Sequence, residues 1–364
     1  MTLSAETELR KFLKTIELPG IDLAVGDVGR VREAHVADGR ATAVIELGFP
    51  AAGAHAAWRA HIGEALAGAS GCDDVSIELT TAVVAHGVQR NLKPLEGIAN
   101  VIAVASGKGG VGKSTVAVNL ALALAADGGR VGLLDADIYG PSQPHMLGLV
   151  GRKPTSTDGQ TMQPLEAHGL QVMSIGFLVD ADQPMVWRGP MVTSALNQLL
   201  RQTAWADLDY LIVDMPPGTG DIQLTLAQQV PVSGAVIVTT PQDIALLDAR
   251  KGLTMFRKVS VAVLGIIENM STHVCTNCGH EEPIFGTGGG ARMAADFDVR
   301  LLGQLPLDLR IRELTDGGNP TVVGDPGSPA AAAYRDAARR MAAGLAARGR
   351  DYSAKFPEIV VENS

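Results

Sequence analysis

The sequence predicts an α/β protein, with a mostly parallel sheet covered by helices on both faces and a small α+β domain in front of it. Three observations carry this. Short, near-continuous apolar runs ("VIAVAS", "RVGLLDAD", "LDYLIVDMPP", "GAVIVTTP", "VAVLGIIEN") alternate with helical stretches. Strands buried on both faces read this way when helices cover a parallel sheet. A glycine-rich loop lies between the first of these runs and a helix. Before residue 95 the texture differs, and 364 residues exceed one ordinary core, so two domains are the starting expectation.

The elements follow in order. "TELRKFLKTI" puts Leu9, Phe12, Leu13 and Ile16 on one helical stripe. "VGRVREAHVADGRATAVIELGF" reads as two strands around a turn at Ala37–Arg40. "HAAWRAHIGEALAGA" is helical, and "DVSIELTTAVV" alternates as a strand does. "HGVQRNLKPLEGIAN", with Pro94 and several polar residues, marks the boundary. The expected division is a small α+β domain at 1–92, a linker at 93–97, the α/β domain at 98–350 and a tail at 351–364. The last helix, "SPAAAAYRDAARRMAAGLAARG", opens with Ser328 as N-cap and Pro329 at its first position. Rich in Ala and Arg, it reads as a packed surface helix.

Composition narrows the function classes. Hydrophobic residues at 46% and charged residues at 19% describe a globular chain. A net charge of −9 argues against a general nucleic-acid binder, which needs a basic face. No 18-residue apolar run suggests a membrane span, and "MTLSAETELRKFLKTI" has no apolar core of a signal peptide. Three cysteines do not build a disulfide framework, so reduced thiols in the cytoplasm are expected.

The strongest motif is "GKGGVGKST", Gly107 to Thr115, placed between strand "VIAVAS" and helix "VAVNLALALAADGG". It satisfies G-x-x-x-x-G-K-[ST] in the context that motif requires, which makes the domain a P-loop NTPase. Gly107, Lys108, Gly109, Gly110, Val111 and Gly112 can turn backbone N–H groups around phosphates, and Thr115 continues the turn into the helix. Lys113 can neutralise β and γ oxygens, and Ser114 can hold Mg²⁺. "LLDADIYGPS" delivers Asp135 and Asp137 at a strand end, and "YLIVDMPPGTGD" delivers Asp214 as a Walker B carboxylate. Asp214 is expected to support Mg²⁺ through water, and Asp137 to position the attacking water. With no N-K-x-D signature for guanine, ATP is the expected nucleotide.

"VCTNCGH" carries the C-x-x-C pair Cys275 and Cys278. Structural zinc and iron–sulfur clusters take four ligands, and this motif supplies two. On spacing alone three readings stand. It is a redox pair, although it follows "ENMS" rather than opening a helix; or half a zinc site, with His273 or His280 adding nitrogen; or half a cluster site. Cys72, in "SGCDDVS", reads as a small residue at a strand entrance. His86, His145 and His168 fall in separate loops and have no expected role.

The second lysine, Lys108, makes "KGGVGKS" resemble the deviant Walker A box of the MinD/ParA class of ATPases, and the resemblance implies a lysine that reaches the partner subunit's nucleotide. Longer segments, "ASGKGGVGKSTVAVNLALALA", "LLDADIYGPSQPHMLG", "WRGPMVTSALNQLL", "LDYLIVDMPPGTGDIQLTLAQ", "GIIENMS…CTNCG" and "IFGTGGG", are similar to the Mrp/ApbC iron–sulfur cluster carriers, relatives of the Nbp-type scaffolds. The likeness covers roughly residues 98–345. It implies that Asn269 and residues 305–313 contact the adenine side. It also implies an ATP-hydrolysing homodimer in which two C-x-x-C pairs hold one bridging 4Fe-4S cluster for delivery from a cluster donor to recipient apo-proteins. No nucleic acid or membrane partner is implied. A MinD/ParA-type positioning ATPase and a zinc or nickel metallochaperone are the alternatives. The front domain resembles the small domain of many such carriers but departs from it. "LGFPAAGAH" has no cysteine where T-x-x-x-C-P is usual, and "LPGIDLAVGDVG" replaces the acidic element, which leaves a docking role.

Overall fold

The structure, a computed structural model, describes residues 6–89, 92–156, 158–178, 189–275 and 277–348. The tail at 351–364, and Trp187 and Arg188 of the "WRGPMV" segment, lie outside the described residues.

The amino-terminal unit begins with α1 (Glu6–Thr15), whose Leu9 and Leu13 are buried. Strands β1 (Gly29–Ala37) and β2 (Arg40–Leu47) pair antiparallel. Asp38 and Gly39 join them with φ of 53° and 75°, the positive values that a two-residue hairpin turn matching strand twist requires. Helix α2 (His55–Ser70) then carries the chain across to β3 (Asp74–Thr81), which pairs parallel to β2. Cys72 is buried just before β3.

The larger unit is built on eight strands. They are β4 (Ile98–Ser106), β5 (Val131–Asp135), β6 (Leu165–Ala167), β7 (Leu170–Ser174), β8 (Leu208–Asp214), β9 (Gly234–Thr239), β10 (Val263–Glu268) and, after the hairpin described below, β13 (Leu301–Gln304). Their order across the sheet is β13-β10-β9-β4-β8-β5-β7-β6, all parallel except β6. The first apolar run therefore forms a central strand. It begins at Ile98, ahead of the "VIAVAS" core, because Leu208 and Tyr210 already pair with Ile98 and Asn100.

Helix α3 (Lys113–Ala126) follows the glycine loop and is buried almost all round, which suits its Val, Leu and Ala content. Its partner on that side is the final helix, numbered α9 (Pro329–Ala346) below. Helices α4 (Gly189–Arg201), α5 (Asp221–Gln229) and α6 (Asp243–Lys258), with α7 (Gly289–Asp296), pack neighbour to neighbour on the sheet. After α7 and β13 come α8 (Leu309–Asp316) and α9. The Ser328 hydroxyl accepts the Ala331 N–H at 3.2 Å and Pro329 opens the helix, as its sequence predicts.

Every parallel strand runs the same way, so the loops after β4, β5, β8, β9 and β10 share one edge of the sheet. The amino-terminal unit meets the opposite edge. There the Asp127 carboxylate, after α3, accepts the Gly53 N–H and a two-pronged ion pair from Arg339 of α9. Arg300, just before β13, donates to Ile21 O, and Arg340 donates to Gly20 O. Asn100, at the start of β4, accepts the His86 N–H and donates to Val84 O. His86, expected to lie in a loop, is buried at this junction.

Candidate functional site

The glycine loop runs from the end of β4 into α3. Gly110 and Gly112 take φ of 81° and 79°, a region costly for residues with a Cβ. At Gly112 a Cβ would also collide with the Asn269 side-chain amide. This leaves backbone N–H groups free to wrap a phosphate at the positive end of α3. The loop lines a cavity of about 230 Å³ together with Lys113, Ser114, Thr115, Asp137, Ser142, Met146 and Pro217.

Lys113 is 6% exposed. Its ammonium contacts the Asp214 carboxylate, the Ser114 hydroxyl at 3.1 Å and Asp137 at 4.0 Å. Asp214 is fully buried and its second oxygen accepts from Gln143 Nε2 at 2.9 Å. The same Gln143 amide donates to Ser114 O at 3.0 Å. Lys108 lies at the cavity mouth, half-buried, and its ammonium has no hydrogen bond or ion pair among the described residues.

The two aspartates at the end of β5 and just beyond it differ in their surroundings. Asp135 is fully buried and accepts from Ser142 N, Gln143 N, Ser174 Oγ and Asp137 N at 3.0 to 3.2 Å. It is the brace of the 136–143 loop. Burial, and then the nearby Asp214 charge, push its carboxyl above the usual range. Asp137 faces the cavity. Burial raises its carboxyl too, and Lys113 pulls it back.

The donors present suit Mg²⁺, a hard cation that takes oxygen ligands and keeps several waters. Ser114 Oγ and the Asp137 carboxylate border the cavity, and the Ser142 hydroxyl, also lining it, is buried with no partner among the described residues. Asp214 already gives its two carboxylate oxygens to Lys113 and Gln143.

Asn269 stands at the end of β10. Its N–H donates to Thr239 O at 2.8 Å, and its side-chain amide donates to Val111 O at 2.9 Å. It therefore braces the phosphate loop from beneath. Sequence reasoning placed Asn269 near adenine and missed this bond, as it missed Gln143 and Glu268. Glu268 is fully buried, accepting from Gly290 N at the start of α7 and from Gln304 Nε2 at 2.7 Å.

Cys275 and Cys278 lie outside the cavity, on a hairpin between β11 (His273–Val274) and β12 (Glu281–Glu282). Cys275 N donates to His280 O at 2.9 Å, and Gly279 N donates to Cys275 O at 2.8 Å. Cys275 is half-buried and Cys278 exposed. Backbone N–H groups of Asn277 and Cys278, then the Cys278 thiol, hold the Cys275 thiol below its ordinary value. His273 faces Leu307 O at 3.0 Å through Nδ1. Among the described residues no group of three or more His, Cys, Asp and Glu is arranged to hold a metal ion. No helix among them is long and apolar enough to cross a membrane.

Known proteins share this architecture. The ParA family model, described as NUBPL iron-transfer P-loop NTPase, matches residues 97–342, and a model described as iron–sulfur cluster assembly protein matches residues 6–79. An iron–sulfur cluster carrier protein of Escherichia coli K12 is 62% identical over 256 residues, 70% of this chain and 69% of its own. The mouse iron–sulfur cluster transfer protein NUBPL is 56% identical over 70% of this chain and 80% of its own. A Deinococcus radiodurans iron–sulfur cluster carrier protein is 45% identical over 93% and 95%. Among solved structures, an Archaeoglobus fulgidus nucleotide-binding protein in complex with ADP is 40% identical, covering 61% of this chain and 88% of that one with a TM-score of 0.55. The Pyrococcus furiosus cell division ATPase MinD, 24% identical with a TM-score of 0.50 over 66% and 98%, shares the fold.

Proposed function

Because this chain belongs to the NUBPL iron-transfer P-loop NTPase family, we propose that it carries a 4Fe-4S cluster as cargo between two copies of itself. It then delivers that cluster to apo-proteins under the control of ATP hydrolysis in the cytoplasm. The observation that carries this reading is the pair of accessible thiols on one hairpin. Two thiolates are half of what a cluster takes, and a second copy supplies the other half.

The residues divide the ATP chemistry as follows. The N–H groups of the 107–112 loop and Lys113 hold the β and γ phosphates, exchanging the Lys113–Asp214 pair for phosphate contacts. Lys108, with no partner among the described residues, reaches across the dimer axis. Asp137 orients the attacking water and takes its proton, a role favoured by a carboxyl raised above the usual range. Ser114, with Asp214 through water, would hold Mg²⁺, which supplies charge neutralisation when bound. The unit matching residues 6–79 is a docking module for the cluster donor or for recipients.

Anaerobic reconstitution with iron and sulfide tests the cargo. The expected result is a broad absorbance near ~400 nm in a dimeric species, lost in Cys275→Ala. Stoichiometric zinc without that band overturns it in favour of a zinc metallochaperone, the reading that the short two-cysteine hairpin also suits.

A further inference from the structure

The path between the phosphate loop and the thiols is short and has no slack. Asn269 N–H is fixed to Thr239 O, and its amide to Val111 O beneath the loop. Met270 follows with φ of 56°, a left-handed conformation that a side chain of this size holds only when its surroundings over-determine it. Its terminal methyl lies 3.7 Å from where a Gly112 Cβ would be. Ser271 then donates twice to Leu305 O, from N at 2.9 Å and Oγ at 3.0 Å. Leu307 N donates to Thr272 O at 2.8 Å, and His273 faces Leu307 O. The next strand residue, Val274, leads directly into Cys275. The segment is zipped to residues 305–307 along its whole length.

We infer that Asn269 and Met270 form the strut through which phosphate at the glycine loop repositions the Cys275–Cys278 hairpin. Phosphate draws on the N–H groups of Gly110, Val111 and Gly112, and so reorients the Val111 peptide. The carbonyl of that peptide is the acceptor held by Asn269. With Met270 pinned in a strained conformation and residues 271–273 zipped, displacement at Asn269 is passed on instead of being absorbed in a flexible joint. Asn269 and Met270 are positioning residues, since neither touches the cargo. The inference deepens the proposed function by naming the device that joins its two ends. It does not depend on which metal the thiols carry.

The test uses the reduced, metal-free full chain. Iodoacetamide labelling rates at Cys275 and Cys278 are read by peptide mass with and without saturating Mg²⁺ and a slowly hydrolysed ATP analogue, with buried Cys72 as internal control. The wild-type rates are expected to change by about fivefold, the low end of ordinary coupling between sites. Met270→Gly is expected to bring that ratio close to unity while still binding a fluorescent nucleotide. Asn269→Ala, which also removes an expected adenine-side contact, is read only at nucleotide concentrations that saturate it and is expected to lose the ratio there too. Glycine is at ease at φ of 56°, so Met270→Gly keeps the test alive if Asn269→Ala fails to fold. A wild-type ratio of one overturns the inference, and so does a full ratio in Met270→Gly. A full ratio in folded Asn269→Ala removes Asn269 from the strut. Failure of the iron–sulfur reconstitution with the labelling ratio intact would sink the cargo reading and leave the strut standing.

Discussion

One Gln143 side chain bonds both Asp214 and the Ser114 carbonyl, while its backbone N–H bonds Asp135. Removing it leaves buried acceptors unpaired, a loss of about 1–3 kcal/mol. Gln143→Ala is therefore expected to lower the urea midpoint and slow ATP turnover together. Asp137→Ala is expected to abolish turnover yet spare nucleotide binding, as measured by phosphate release against fluorescent-nucleotide affinity. Unchanged turnover would remove Asp137 from the mechanism. Cys275 offers a pH test. A lowered thiol value means thiolate is present at lower pH, so its alkylation rate should rise and level off below the pH at which an ordinary free thiol does. At this scale Lys113 and Asp214 could be singled out, because one closes a glycine-rich motif and the other ends an apolar strand, and the fold brings the two into contact. Gln143 and Glu268 were not legible, because each acts through a partner far away in sequence that only the fold brings near.

Elements were legible wherever local chemistry and burial agree. Strands β4, β8, β9 and β10 are continuous apolar runs buried on both faces, and the structure keeps them as parallel neighbours. The first hairpin follows from Asp38–Gly39, and the start of α9 from Ser328 and Pro329. Ser328→Ala is expected to cost about 1 kcal/mol through the lost cap, read from a denaturant melt. What sequence left open is sheet order and strand ends. Ile98 joins β4 because β8 lies beside it, a pairing that no local pattern announces. Just ahead of the expected linker at 93–97, Gln89 donates to Ala227 O and Val230 O at the end of α5.

At the scale of the molecule, the Asp127–Arg339 pair joins three segments, α9, the end of α3 and residues 52–53. Asp127 is 1% exposed in its side chain, so Asp127→Ala leaves a largely buried guanidinium only its 3.3 Å contact with the exposed Asp336 carboxylate, and removes the acceptor of the Gly53 N–H. The expected loss is about 3–5 kcal/mol, with faster proteolysis in the 86–97 stretch; proteolysis unchanged from wild type would mean the latch is idle. None of this docking could be read from composition, because it depends on single hydrogen bonds between units whose sequences carry no shared signal.

Seven residues of β4 run from Asn100, beside the docked unit, to Ser106 at the phosphate loop, about 20 Å of extended chain. The unit at residues 6–79 and the Cys275–Cys278 hairpin thus stand at opposite edges of one sheet. Under the proposed function, a client resting wholly against residues 6–79 would not face the thiols of the chain that moors it. Delivery would then call for a recipient with enough reach to round the flank, or for a neighbouring copy to hold the client while this one lets go.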